Sequence, residues 1–234
     1  MSTPVRLLLP YVSDLILYSA CWEGAGTKLE DVSGGHNDGL LVGTAAWNAA
    51  GRIGNCLEFD GANGDVTIAR KDYFTTPPFS IECWFRLDVL PSVRAEKAVL
   101  VEMGDSTIGY AAWNLLVTDA APNDYIRFAV ANNVPDDSKQ IHSDSPCVIN
   151  RWYHIVGTLD TSLNLKLYVD GVLQAETATA VSFLLGDETL VLGSTSPGPG
   201  GGQKLDGRLD EVRFYTRALS PAEIFEQWYR GLRQ

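Results

Sequence analysis

The chain has 234 residues, 45% of them hydrophobic, enough to bury a full core, and a chain of this length commonly forms one domain, here spanning 1–234. Its 18 Lys and Arg face 29 Asp and Glu, a net charge of −11, so the clustered cations that grip a phosphate backbone are lacking. Nucleic acid is thereby excluded as an expected partner, and no run reaches the ~18 uninterrupted apolar residues of a membrane-spanning helix.

The apolar opening from Val5 to Tyr18 is interrupted by Pro10, Ser13 and Asp14, and no convincing small-residue cleavage site follows, so it is expected to be a first strand. Gly24 to Gly39 is rich in Gly, Asp, Asn and Ser, too long and polar for a simple turn. Leu40–Val42 and Ala45–Trp47 give short strands, and Cys56–Asp60 and Asp65–Ala69 form a hairpin across Gly61–Gly64. Pro77 and Pro78 break the chain before the strand Phe79–Asp88. There Phe79, Ile81, Cys83, Phe85 and Leu87 face inward, and Ser80, Glu82, Trp84, Arg86 and Asp88 face the other way.

Strands at Ala98–Glu102, Tyr110–Val117 and Tyr125–Ala131 follow, then a polar connection from Asn132 to Pro146. Between Asn150 and Gly171, Tyr153, Ile155, Gly157 and Leu159 alternate with Trp152, His154 and Thr158, and Leu163, Leu165, Leu167 and Val169 with Asn164, Lys166, Tyr168 and Asp170. Short polar side chains at Asp160–Ser162 and the Asp170–Gly171 pair turn the chain, giving a three-strand meander with one apolar face. Leu190–Gly193 is followed by a Pro/Gly loop, Ser194–Gly202, whose glycines precede no Lys-Ser/Thr and helix, so it is no phosphate-binding loop. The last strand ends at Tyr215, and one helix closes the chain. Ser220 caps it, Pro221 and Glu223 fit its first turn, Ile224, Phe225 and Trp228 make its apolar stripe, and Gly231 suits its end. Cys21, Cys56, Cys83 and Cys147 contain no Cys-x-x-Cys pair, and free thiols are favoured over disulfides.

Three stretches carry a family resemblance: Phe79-Ser-Ile-Glu-Cys-Trp-Phe-Arg-Leu87; Trp152-Tyr-His-Ile-Val-Gly-Thr-Leu-Asp160 with Leu167-Tyr-Val-Asp-Gly-Val-Leu173; and Gly207-Arg-Leu-Asp-Glu-Val-Arg-Phe-Tyr-Thr-Arg-Ala-Leu-Ser-Pro-Ala-Glu-Ile224. With Asp31-Val-Ser-Gly-Gly-His-Asn-Asp-Gly39, they resemble the laminin-G-like jelly rolls of the concanavalin A-like lectin and glucanase sandwiches. The resemblance implies an all-β fold, a two-sheet antiparallel jelly roll with a short C-terminal helix. It is weak for function, since such folds host lectins, adhesion modules, enzyme accessory domains and virion proteins.

The resemblance also implies a link between the acid-rich loop and the last strand through structural calcium, with Asp31, Ser33, Gly34, Asn37 and Asp210 as oxygen donors. The other reading is metal-free: Asp31 and Asn37 cap turns, and Asp210 accepts backbone N–H groups. For a sugar, Trp84 would supply a ring beside Glu82, whose carboxylate suits hydroxyls, with Tyr110, Trp113, Trp152 and His154 sharing that sheet. The competing reading has these aromatics covered. The Glu-x-Asp-x-x-Glu pattern of retaining glucanases does not occur, and His36, His142 and His154 have no nucleophile motif beside them, so catalysis is not expected.

The expected function is a non-catalytic, surface-displayed component of a larger assembly, such as a virion decoration or appendage protein. It would dock or form a homo-oligomer through a sheet edge, the first strand or the Pro/Gly loop. The alternative is a calcium-dependent, lectin-like adhesion module with surface glycans as partners. Lacking a recognisable export signal, the chain is expected to be made in the cytoplasm and carried to a virion or an extracellular surface.

Overall fold

The computed structural model describes residues 14–105, 110–119, 123–131, 139–178, 189–195 and 203–233. In chain order the strands are β1 (Leu15–Ser19), β2 (Lys28–Leu29), β3 (Gly39–Val42), β4 (Ala46–Asn48), β5 (Cys56–Asp60), β6 (Asp65–Ile68) and β7 (Phe79–Leu87). After a single helical turn, α1 (Pro91–Arg94), come β8 (Ala98–Asp105), β9 (Tyr110–Val117), β10 (Tyr125–Val130), β11 (Lys139–Pro146), β12 (Trp152–Leu159), β13 (Asn164–Val169) and β14 (Val172–Ala178). β15 (Leu190–Leu192), β16 (Asp206–Tyr215) and the helix α2 (Pro221–Leu232) complete the chain.

They form two antiparallel sheets, as a jelly-roll sandwich requires. The front sheet runs β14-β13-β12-β7-β16-β5-β4, with β1 also paired to β16, and the back sheet runs β11-β10-β9-β8-β15-β6-β3-β2. Alternation explains the core: Phe79, Ile81, Cys83, Phe85 and Leu87 of β7 meet Leu100, Trp113, Leu115, Phe128 and Leu192 from the back sheet. The four cysteines are buried and unpaired, burial raising each thiol's pKa.

Alternation fails at one place in β16. Leu209 pairs with Phe85, Asp210 with Trp84 and Arg213 with Glu82, so Glu211 and Val212 share the space opposite one residue. Glu211 takes φ +53 at this bulge. Leu209, Val212 and Phe214 therefore all enter the core, and Asp210 does not share their face as simple alternation requires.

Three other expectations change. The segment Asn132–Pro146 contains the strand β11, missed because an edge strand buries little, here Ile141 and Ser143. The described first strand starts at Leu15, after Asp14, and Val5–Ser13 lies outside the described residues, as does most of the Pro/Gly loop. The third concerns α2, which packs on the outer face of the front sheet. Ile224 joins Leu15, Val156, Tyr168, Tyr215 and Leu219, and the Gln227 amide donates to Tyr215 Oη at 3.0 Å. Both halves of its capping box are present, and Arg217 grips Glu223 at 2.6 and 3.0 Å, holding that carboxyl down to about 2. Gly231 is not a terminator. It is buried inside the helix, where an added Cβ would lie 2.5 Å from Trp84. Phe225 faces largely outward, 50% exposed, with its ring beside the β13–β14 turn at Gly171.

Candidate binding face

Of the six residues expected to hold a sugar, the structure brings three together and closes them over. Cross-strand register sets His154 beside Trp84 and Val156 beside Glu82, on the outward face of β12 and β7. There they are closed over: α2 comes against the Trp84 ring at Gly231, Trp84 is 2% exposed, and Glu82 and His154 are fully buried. Trp152, half-buried, sits across from Arg86. Trp113 belongs to the other sheet's inner face, its indole N–H donating 2.7 Å to the Phe74 carbonyl within a cluster with Phe79 and Phe214. The Tyr110 side chain lies outside the described residues.

What Glu82 and His154 build is a sealed ion network. His154 Nε2 lies 3.0 Å from Glu82 Oε1, and Arg213 Nη1 donates to the same oxygen at 2.7 Å. Arg213 also donates to Glu211, stacks 4.3 Å over the Tyr18 ring, and Tyr18 Oη donates to Glu211 at 2.9 Å. Burial works to raise the Glu82 carboxyl, but Arg213 and His154 together hold it below its ordinary value. Burial prevails at Glu211, which is raised despite Arg213. One guanidinium thus donates to two carboxylates in a covered site, an arrangement suited to fixing β7, β12 and β16 in register rather than to receiving a ligand.

Asp210 lies apart from that network. Its oxygens accept the N–H groups of Ile53 and Glu211, each at 2.8 Å, and burial followed by the nearby Glu211 charge pushes its carboxyl up to about 8. Asp31 is equally committed. One oxygen accepts from the Tyr18 and Ser33 N–H groups and the other from Asn37 N–H, each at 2.9 Å. Asn37 spends its own side chain on Ile16 O and the Tyr73 hydroxyl, and Ser33 Oγ accepts from Gly35 N–H. The residues from Asp31 to Asn37 and Asp210 therefore occupy separate hydrogen-bond networks. Among the described residues no group of three or more His, Cys, Asp or Glu converges as metal ligands. The donor set does not fit a calcium ion shared between the loop and β16.

Sequence reasoning missed the outer side of α2. Ile224 and Gly231 take one side of the helix to the sheet, while Phe225, Tyr229 and Leu232, at 50%, 45% and 47% exposure, follow the i, i+4, i+7 spacing on the other. The Phe225 and Tyr229 rings are nearly parallel, 6.3 Å apart, and Trp228 lies 5.4 Å from Phe225. The β13–β14 turn continues this ridge: a Cβ at Gly171 would come 3.1 Å from Trp228 and 3.3 Å from Phe225, and the next residue, Val172, is 59% exposed. The signal was legible, since a helix with two apolar stripes has one more than packing on a single sheet uses.

A family model described as Concanavalin A-like lectin/glucanases superfamily matches residues 60–225. No curated protein sequence matches the chain. Among solved structures, the binding domain of Paraclostridial Mosquitocidal Protein 1 superposes with a TM-score of 0.72 at 16% identity, covering 94% of this chain and 52% of that one. A structure titled for the dependence of botulinum neurotoxin type C cell entry on two ganglioside molecules gives 0.70 at 16% identity, covering 94% and 51%. The binding domain of botulinum neurotoxin DC in complex with rat synaptotagmin II gives 0.67 at 13%, covering 94% and 52%. The chain thus spans about half the length of these structures, and the likeness is one of fold.

Proposed function

We propose, from the premise that this chain belongs to the Concanavalin A-like lectin/glucanases superfamily, that it is a non-catalytic binding module engaging a protein partner through α2 and the β13–β14 turn. It would serve as a displayed component of a larger assembly, such as a virion decoration or appendage. The exposed ridge of Phe225, Tyr229, Leu232 and Val172 carries this reading, because interface centres are rich in aromatics while the buried acids here are committed to internal partners. The test places a photo-crosslinking phenylalanine analogue at Phe225, with the more exposed Val93 on α1 as a control, in cells that naturally make the protein. A discrete adduct from position 225 alone supports the reading. No adduct, or the same one from both positions, overturns it, as does a hydrolytic turnover abolished by changing one carboxylate.

A second reading, a carbohydrate-binding adhesion module, draws support from the ganglioside named for one structural neighbour and from Trp22, an exposed ring whose carbonyl accepts from Asn55. A glycan array decides it: retention of a defined glycan, lost on Trp22→Ala, favours this reading, and an array without signal removes it.

A further inference from the structure

The ridge on α2 has charges along one flank only. At ~3.6 residues per turn, Glu226, Arg230 and Arg233 fall together on the Tyr229 side, while the opposite side descends through Trp228 toward the sheet. All three are exposed; Arg230 pairs with Glu226, and Arg233 lies 5.2 Å over the Tyr229 ring. Along that flank acid comes first and base follows, so the helix is its own charge complement when reversed.

We propose that the occupant of this face is a second copy of the chain, the two α2 helices lying antiparallel about a two-fold axis near Tyr229. This rests on reading α2 as the partner-facing surface. A two-fold axis brings the same flank of both helices together in opposite directions. Glu226 of each copy then faces Arg230 and Arg233 of the other, and Phe225, Tyr229 and Leu232 interdigitate, with Val172 widening the contact. A parallel two-fold pairing would instead set each charged flank against the partner's Trp228 side and leave Glu226 without its complement. The net charge of −11 makes two copies repel at long range, so they meet best where charge is locally balanced around an apolar centre.

Sedimentation or light scattering of the whole chain, from about 1 to about 300 µM, tests this. The mass is expected to double from 25.5 kDa. Tyr229→Glu with Leu232→Lys should remain monomeric with unchanged circular dichroism and Tm. Glu226→Arg, an exposed change that leaves the fold intact, should weaken pairing about tenfold, because the lost attraction counts twice across the axis. Adding Arg230→Glu and Arg233→Glu should restore it. A monomer at every concentration, a dimer that survives the Tyr229/Leu232 pair, or a charge reversal without loss or rescue would overturn the proposal. If the mass stays monomeric while position 225 crosslinks to another protein, the self-pairing fails and the binding-module reading stands.

Discussion

The two sides of α2 use similar residue types to opposite ends. On the covered outer face of the front sheet, Trp84, His154 and Glu82 look like a recognition site in sequence, yet they are buried, and Glu82 and His154 are tied through Arg213 to Glu211. Above the helix, Phe225, Tyr229 and Leu232 look like ordinary core residues and are the ones left in solvent. Residue type alone therefore misplaces both sets. What separates them is what lies against each set: Tyr18 of β1 meets Glu211 and Arg213, Gly231 of α2 lets the helix come down on Trp84, and among the described residues no element lies over the exposed rings.

The largest effect should come from breaking the covered side. Arg213→Met leaves Glu82 and Glu211 buried without their cation, and about 3–5 kcal/mol of stability should be lost in urea unfolding. A loss below about 1 kcal/mol would mean that water reaches the network. Next in size is Gly231→Val. A Cβ there meets the Trp84 ring at 2.5 Å, so the helix must lift or the indole must move, at about 1–3 kcal/mol. On the outer side Phe225→Ser should change stability by no more than about 0.5 kcal/mol while affecting association, which makes the contrast between the two sides measurable in one pair of variants.

Much of the sandwich was legible because a two-residue period is a strong signal: β7, β12 and β13 place Phe79, Ile81, Ile155, Leu165 and Leu167 inside, as their alternation indicates. The helix ends were legible too, since Ser220 and Glu223 carry a local mechanism. The ion network was not. It depends on cross-strand register between residues 131 apart in sequence, Glu82 and Arg213, and on a bulge at Glu211 that shifts the phase of β16. Nothing in the local pattern of Arg208–Tyr215 announces that extra residue. The role of Gly231 was equally hidden, because a glycine near a helix end reads as a terminator until the indole beneath it is seen.

A smaller effect distinguishes two of the buried carboxylates, Glu82 and Asp210, by the sign of their pH dependence. Glu82 is held below its ordinary pKa, so its contribution is present above the unfolded value and is lost as acid protonates it in the folded state. Asp210 is raised to about 8, so its protonated form is favoured by folding, and its contribution is full below about pH 4 and declines up to about pH 8. The Tm difference between the natural chain and Asp210→Asn should therefore narrow as pH rises across that window, and that for Glu82→Gln should widen as pH rises from acid toward neutrality. Parallel curves for the two variants would show that desolvation does not separate these groups.

The smallest effect expected is that of a chelator. An ion bound by Asp31 would compete with the N–H groups of Tyr18, Ser33 and Asn37, three hydrogen bonds to a charged acceptor worth about 1.5–3 kcal/mol each that leave one of its ~4 lone-pair sites open. Asp210 offers no help, as its oxygens are engaged by Ile53 and Glu211. EDTA should accordingly leave Tm where it was, whereas Asp31→Ala, which leaves those donors without an acceptor, should lower it by several degrees. A fall with EDTA that is abolished in the Asp31→Ala background would mean that the loop rearranges around calcium, and the hydrogen bonds of Asp31 would then describe only the metal-free form.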